Sequence, residues 1–100
     1  LPTIIFDEID TGIGGKTSHA VGDRLAKLAK KFQILLVTHQ PQIAAKSDTH
    51  FCIKKEENDN KVKTTVEKLD KNCQYREVAR MISGENITSE SLAAAKKLFN

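Results

Sequence analysis

The amino-terminal part of the chain contains two short apolar runs with the character of strands. Residues 3–6 form the first run, between Pro2 and the acidic pair Asp7 and Glu8. Residues 34–37 form the second. Both runs are short, apolar and rich in branched side chains, which is typical of buried strands in a parallel sheet. We therefore expect two buried strands here.

The segment between these runs has helical periodicity. Its apolar positions recur at intervals of three or four residues: Val21, Leu25, Leu28 and Phe32. This spacing predicts a helix over about residues 17–31, with Thr17 or Ser18 as its N-cap. A strand, a helix and a second strand predict a βαβ unit, with parallel strands and a right-handed crossover.

The middle of the chain predicts a short helix and then a hairpin. Residues 40–48 carry Pro41 in the first turn of the expected helix. Residues 49–57 and 61–69 are two strand-like segments joined by a polar turn. The second segment alternates, so we expect its apolar face to be packed and its other face to be solvated; the apolar face comprises Val62, Thr64 and Val66.

The carboxyl-terminal part predicts two helices. Asp70 is a suitable N-cap for a helix that ends near Ser83, and Gly84 is a suitable C-terminal residue. A last helix begins at about Ser89, with Leu92, Ala95 and Phe99 on one face. We find neither an internal repeat nor a linker, so residues 1–100 are expected to form a single α/β domain.

The amino-acid composition is that of an ordinary globular domain and does not by itself indicate a function. Hydrophobic residues make up 39% and charged residues 29% of the 100 residues, as in an ordinary globular domain. No apolar run is long enough to span a membrane, and no signal-peptide pattern is present. The sequence begins in a strand and without Met, so we expect it to be part of a longer polypeptide. The net charge of +3 permits contact with nucleic acid but does not require it, because no basic patch interleaved with aromatic residues is visible.

The cysteines and histidines do not form a metal-binding motif. Cys52 and Cys73 are too far apart for a CxxC pattern, and Cys52 is expected to be a buried strand residue. The three histidines are scattered along the chain. A reduced, cytosolic protein is the simplest interpretation.

The stretch GGKTS resembles the end of a phosphate-binding P-loop. Gly15, Lys16 and Thr17 supply the second half of that motif, but its first glycine would have to occupy the position of Asp10. Aspartate places a negative charge beside the phosphates and lacks the backbone freedom that the loop requires. We therefore do not interpret GGKTS as a working P-loop.

The ends of the two predicted strands carry the strongest candidates for chemistry. Asp7 and Glu8 follow the first strand, and Thr38 and His39 follow the second. Parallel strands end at the same edge of a sheet, where ligands bind in open α/β folds. An acidic pair and a histidine at one edge could serve a hydrated Mg²⁺ and an attacking water. The alternative is structural: the two acids end the strand and cap the next turn.

Three longer motifs support a family assignment: TIIFDEIDTGIGG, LLVTHQPQIAAKSDTHF and REVARMISGENITSESLAAAKKL. Together they resemble the carboxyl-terminal end of the RecN family of bacterial DNA repair proteins, in the SMC-like branch of the ABC-type ATPases. The resemblance covers almost the whole chain. It implies part of an ABC-type ATPase head of the P-loop NTPase class, with a parallel βαβ core followed by a β-hairpin and carboxyl-terminal helices.

The resemblance also implies roles for individual residues. Asp7 matches the Walker B aspartate and would hold Mg²⁺ through water, while Glu8 would orient and polarise the attacking water. His39 matches the switch histidine that hydrogen-bonds the γ-phosphate of ATP. Residues 10–15 match the D-loop at the interface between two heads, and three of them are implied to contact nucleotide: Asp10, Thr11 and Gly12. Many D-loops carry an aspartate where this chain has Gly14, so the details of that interface differ.

The remaining motifs of such a head are not found in this sequence. The family places its Walker A loop, Q-loop, signature motif and coiled coil earlier in the chain. The implied cofactors, ATP and Mg²⁺, would therefore bind only in the complete head. The implied partners are the rest of that head, a second head in a homodimer, and DNA, with no membrane contact and a cytoplasmic, nucleoid-associated location.

Two alternative functions remain at this point. The chain could be the head fragment of another SMC-like ATPase, or it could be a non-catalytic nucleic-acid-binding module in which Asp7 and Glu8 are structural. A partial head also predicts apolar surfaces that are exposed because their packing partner is missing.

Overall fold

The computed structural model describes residues 2–7 and 14–99 and contains eight elements in this part of the chain. In chain order they are β1 (Thr3–Asp7), α1 (Gly15–Leu28), β2 (Gln33–Val37), α2 (Pro41–Ala44), β3 (Phe51–Asn58), β4 (Lys61–Lys68), α3 (Lys71–Ser83) and α4 (Ser89–Leu98). This order confirms the predicted succession of strands and helices. Among the described residues, no helix has the length and apolar character needed to cross a membrane.

Strands β1 and β2 form a parallel pair, as the βαβ pattern predicted. Their register places Thr3 beside Gln33 and Asp7 beside Val37. The Thr3 hydroxyl donates a hydrogen bond of 2.9 Å to the Gln33 side-chain oxygen at the start of the pair. The two carboxyl ends therefore lie at one edge of this sheet.

The expectation that both strands are buried was wrong for one face of the sheet. Ile5 is 71% exposed, and Leu35 and Val37 are each 48% exposed. Because side chains alternate along a strand, these three residues share one face with Asp7. The described part of the chain covers only the opposite face, on which Ile4 and Leu36 are half-buried.

Helix α1 differs from its prediction at both ends. It begins at Gly15 after Gly14, whose extended backbone makes it the N-cap, and no side chain caps the helix. The prediction of Thr17 or Ser18 as the N-cap was therefore wrong. The helix ends at Leu28, about one turn before the expected end, and the Phe32 amide then donates to the Leu28 carbonyl in a turn that leads into β2.

The three later helices pack around one small apolar core. Its buried members come from α2, α3 and α4: Ala44, Val78, Ala79 and Ala95. Larger half-buried side chains surround them: Met81, Ile87, Leu92, Leu98 and Phe99. Small residues at the centre allow the helices to approach closely, while the larger side chains fill the periphery.

Strands β3 and β4 form the predicted antiparallel hairpin. Its two-residue turn consists of Asp59 and Asn60, which both have positive φ angles, of 46° and 66°. Asn and Asp tolerate this conformation better than other non-glycine residues, and two such residues suit the twist of a tight hairpin.

The prediction for the packed face of the hairpin was wrong. Val62 and Val66 are each 63% exposed, whereas Cys52 on the opposite face is buried, as expected for that residue. The Cys52 face lies against α3, with which it forms a shallow cleft. The position of α3 therefore decides which face is covered, and alternation along the strand does not reveal it.

The ends of the last two helices confirm the sequence signals. The Asp70 carboxylate accepts a hydrogen bond of 2.8 Å from the Cys73 amide, and Gly84 ends α3 with a φ of 81°. Thr88 and Ser91 form a reciprocal capping box at the start of α4.

Candidate functional site

Asp7 is the last residue of β1 and lies at the edge where the two parallel strands end. Its register partner is Val37, the last residue of β2. The Asp7 side chain is exposed and shares the uncovered face of the sheet with Ile5. Its carboxylate is therefore accessible to a ligand at this edge.

His39 lies two residues beyond Val37, at the same edge of the sheet. Its side chain is exposed. The Thr38 hydroxyl oxygen accepts a hydrogen bond of 3.0 Å from the Gln40 amide, which forms a tight turn around His39. The Gln40 carbonyl then accepts from the Ile43 and Ala44 amides at the start of α2. The backbone of His39 is thus held on both sides.

The parallel register pairs Asp7 with Val37, and His39, the other described candidate, follows Val37 by two residues. The remaining predictions concern Glu8, Asp10, Thr11 and Gly12, which lie outside the described residues. Lys16 is exposed in the first turn of α1.

The chemistry available at this edge is that of an anion and a hydrogen-bond donor. A carboxylate such as Asp7 is a suitable ligand for Mg²⁺, which usually takes one or two protein carboxylates and completes its shell with water and substrate phosphates. An imidazole N–H donates readily to a phosphate oxygen. Within residues 2–7 and 14–99, no group of three or more His, Cys, Asp or Glu side chains could hold a metal by itself. The described residues of this edge can thus contribute to the binding of a metal–phosphate ligand but do not form a metal site by themselves.

The cleft between α3 and the hairpin has a different character. It has a volume of about 230 Å³ and is lined by both cysteines. Burial raises the pKa of the Cys52 thiol, and a hydrogen bond with Asp70 raises the pKa of the Cys73 thiol. Raised values keep both groups protonated at neutral pH, so neither thiol is activated as a nucleophile.

One basic and aromatic cluster was missed by the sequence analysis. The Lys71 ammonium lies 4.7 Å from the centre of the Phe99 ring, and the Lys96 ammonium lies 5.7 Å from that of Tyr75. The two rings meet edge to face, with centroids 4.8 Å apart. The spacing of Lys71 and Tyr75 within α3 was visible in the sequence, but the contact with α4 depends on helix packing. The contacts within this cluster join α3 to α4 and support the packing of the two helices.

Comparison with known proteins places the sequence among bacterial repair proteins. No protein-family model matches the chain. The DNA repair protein RecN of Rickettsia felis is 50% identical over 99 residues, which is 99% of this chain. The RecN proteins of Xylella fastidiosa and Bacillus subtilis are 44% and 41% identical, over 99% and 97% of the chain. In each case the chain spans only about 17–18% of the length of the relative.

A solved structure identifies the fold. It comes from work on the ATP-driven dimerization and DNA-stimulated activation of SMC ATPases, and it superposes with a TM-score of 0.65. The match covers 86% of this chain and 50% of the other, at 20% sequence identity. The described fold is therefore that of part of an SMC-type, ABC-class ATPase head. Together with the near-complete coverage by RecN sequences, this fold identifies the chain as a segment of the RecN family.

Proposed function

We propose that this chain supplies the Walker B, D-loop and switch-histidine portion of an ATPase head that acts in DNA double-strand break repair and recombination. The observation that supports the proposal is the parallel register of β1 and β2, which ends at Asp7 and Val37, two residues before His39. Identity to RecN proteins over almost the whole chain supports the choice of family. In this proposal residues 1–100 act as one unit within the head.

Each predicted site residue has a distinct role in the proposed reaction. Asp7 would hold Mg²⁺ through water, and Glu8 would orient and polarise the water that attacks the γ-phosphate. His39 donates a hydrogen bond to that phosphate as charge develops on it. Three D-loop residues contact nucleotide at the interface with the second head: Asp10, Thr11 and Gly12. These roles suit phosphoryl transfer, in which catalysis depends mainly on positioning and charge stabilisation.

The segment needs the rest of its head to complete the site. Walker B and switch residues contact the metal and the γ-phosphate, but the Walker A loop grips the other phosphates. Its partners in this proposal are therefore the remainder of the head, a second head in a homodimer, and DNA. The corresponding location is the cytoplasm, at the nucleoid.

Hydrolysis by the full-length polypeptide that contains this segment tests the proposal. We expect Glu8→Gln to reduce kcat by about a hundredfold or more while Mg-ATP still binds, because the substitution removes the group that polarises the water. His39→Ala should also reduce kcat, and Asp7→Asn should weaken Mg-ATP binding. Lys27→Gln, which changes an exposed residue of α1, is the control and should leave hydrolysis unchanged. Hydrolysis that survives both Glu8→Gln and His39→Ala would contradict the proposal.

A non-catalytic nucleic-acid-binding module is the second candidate function. The observation that favours it is the basic and aromatic cluster of α3 and α4, with Lys71 and Lys96 over the rings. Two results together would favour this function. The segment would bind DNA strongly, with an affinity that falls steeply as salt rises, and hydrolysis would be unchanged in Glu8→Gln, His39→Ala and Asp7→Asn.

A further inference from the structure

Helices α1 and α2 follow the two candidate loops directly in the chain. Helix α1 begins at Gly15, the last residue of the proposed D-loop, and α2 begins at Pro41, two residues after His39. The two helices pack against each other. A rigid contact between them would therefore fix the position of the His39 turn relative to α1.

A close backbone approach forms the centre of this contact. Gly22 of α1 is buried, and a Cβ atom added there would lie 3.2 Å from the Gln42 carbonyl oxygen of α2. The same atom would lie 3.6 Å from the Ile43 Cα and 3.2 Å from the Lys46 Cγ. The Lys46 side chain could move aside, but the backbone of α2 could not do so without shifting the helix. Gly22 thus sets the spacing of the two helices.

An ion pair closes the same contact beside Gly22. The Lys46 ammonium lies 3.2 Å from an Asp23 carboxylate oxygen, and the Lys46 side chain is mostly buried. His19, one turn earlier on α1, lies 3.5 Å from the other Asp23 oxygen. Ile43, Ala44 and Ala45 are nearly inaccessible to solvent, so α2 has little room to adjust. Spacing and charge therefore fix α2 against α1 in one arrangement.

We propose that Gly22, Asp23 and Lys46 form an α1–α2 clamp that positions the His39 turn for catalysis. The clamp residues are positioning residues that act through His39 and touch no substrate themselves. This inference rests on the proposed function, because it assigns a positioning role within the same ATPase site. A shift of a few tenths of an ångström in α2 would move the His39 turn, whose backbone is joined to α2 through Gln40.

The test uses steady-state ATP hydrolysis by the full-length polypeptide. Gly22→Ala and Lys46→Met should each lower kcat by about tenfold, with KM for ATP changed by less than about twofold, because misplaced catalytic groups slow the chemical step. The charge-swapped double variant, Asp23→Lys with Lys46→Asp, should recover most of the kcat lost in Lys46→Met. Lys27→Met is the matched control, since Lys27 is exposed on α1 and forms no ion pair with a described carboxylate.

The outcomes separate this inference from the proposed function. If His39→Ala abolishes hydrolysis but Gly22→Ala and Lys46→Met keep the wild-type kcat, the clamp is overturned and the proposed function stands. A fall in thermal midpoint without a change in kcat would also overturn the clamp, because it indicates a structural role alone. If His39→Ala alone leaves hydrolysis intact, the clamp is overturned, and if Glu8→Gln leaves it intact as well, both proposals fail. A fall in kcat at constant KM that is rescued by the charge swap supports the clamp.

Discussion

His39 is held by backbone interactions that do not involve its own side chain. The Thr38 hydroxyl oxygen accepts a hydrogen bond from the Gln40 amide, and the Gln40 carbonyl accepts hydrogen bonds from amides in the first turn of α2. Substitution of the imidazole therefore leaves the turn in place. This separation makes His39→Ala a test of the imidazole and not of the local fold.

His50, unlike the exposed His39, is partly buried, and its burial makes the stability of the fold depend on pH. Its Nδ1 atom is buried and has no hydrogen-bond partner among the described residues. Burial lowers the pKa of His50 below 6.5, although Glu77 opposes this shift. The unfolded chain therefore binds a proton more readily than the folded chain as pH falls below 6.5, and the stability present above that pH is progressively lost.

We expect the free energy of unfolding of the segment to fall between pH 8 and about pH 5.5, and His50→Gln to reduce that fall. Urea unfolding at several pH values measures this free energy. The matched control is His39→Gln, which changes an exposed histidine. The same pH dependence in wild type and His50→Gln would contradict the assignment.

At the scale of elements, the features that could be predicted well from the sequence are helix caps and turns, which depend on local interactions. Asp70 reaches an amide three residues away, and Asp59 and Asn60 make their turn within the hairpin itself. Such interactions depend on neighbours in the chain, so residue type and spacing suffice to predict them. Thr17 and Ser18 show the limit of this approach, because both are good caps and neither one caps α1.

Which face of an element is buried depends on distant parts of the chain, and here the predictions were less successful. The hairpin buries Cys52 and exposes Val62 because α3 packs against the Cys52 side. In α3, the large apolar residue Ile82 is 40% exposed, whereas the small residue Ala79 is fully buried. No local pattern in the sequence indicates these packing partners.

Two valines in different settings test this account of the core. Val78 is fully buried in the contact of α3 with its neighbours, and Val62 is largely exposed on the hairpin. We expect Val78→Ala to lower the free energy of unfolding by about 2 kcal/mol, from lost burial and the cavity left behind. Val62→Ala removes the same atoms but should change the free energy of unfolding by less than about 0.5 kcal/mol. Equal losses in chemical denaturation would show that the described core is wrong.

At the scale of the whole molecule, the candidate site was partly predictable. The rule that parallel strands end at one edge predicted that Asp7 and His39 lie together. The register confirms the shared edge at Asp7 and Val37, and the approach of His39 to Asp7 stays a prediction. Their chemical roles come from the resemblance to RecN and not from geometry. The exposed face of β1 and β2 agrees with the expectation of apolar surfaces without a partner, since the chain spans about 18% of its RecN relatives.

The uncovered face of this sheet predicts how the segment behaves alone. Ile5, Leu35 and Val37 form an apolar surface beside unpaired strand edges in the described sheet, a combination that promotes association. We expect Ile5→Thr combined with Leu35→Thr to reduce self-association of the isolated segment, measured by sedimentation velocity. In the full-length polypeptide the same pair should lower stability, because we expect the rest of the polypeptide to cover this face.

Gln33→Thr, on the same face but polar at the outset, is the control and should leave association unchanged. Reduced association in the segment with no loss of stability in the full-length polypeptide would mean that this face is solvent-exposed in the complete head as well.

The most direct measurement of the central claim is Mg-ATP binding by titration calorimetry. The segment is titrated alone and then mixed with the upstream part of its polypeptide. We predict binding only in the mixture, weakened by Asp7→Asn or His39→Ala, because the segment contributes metal and γ-phosphate contacts without a phosphate-binding loop. Tight binding by the segment alone would contradict this account and would point to GGKTS at the start of α1 as a phosphate site.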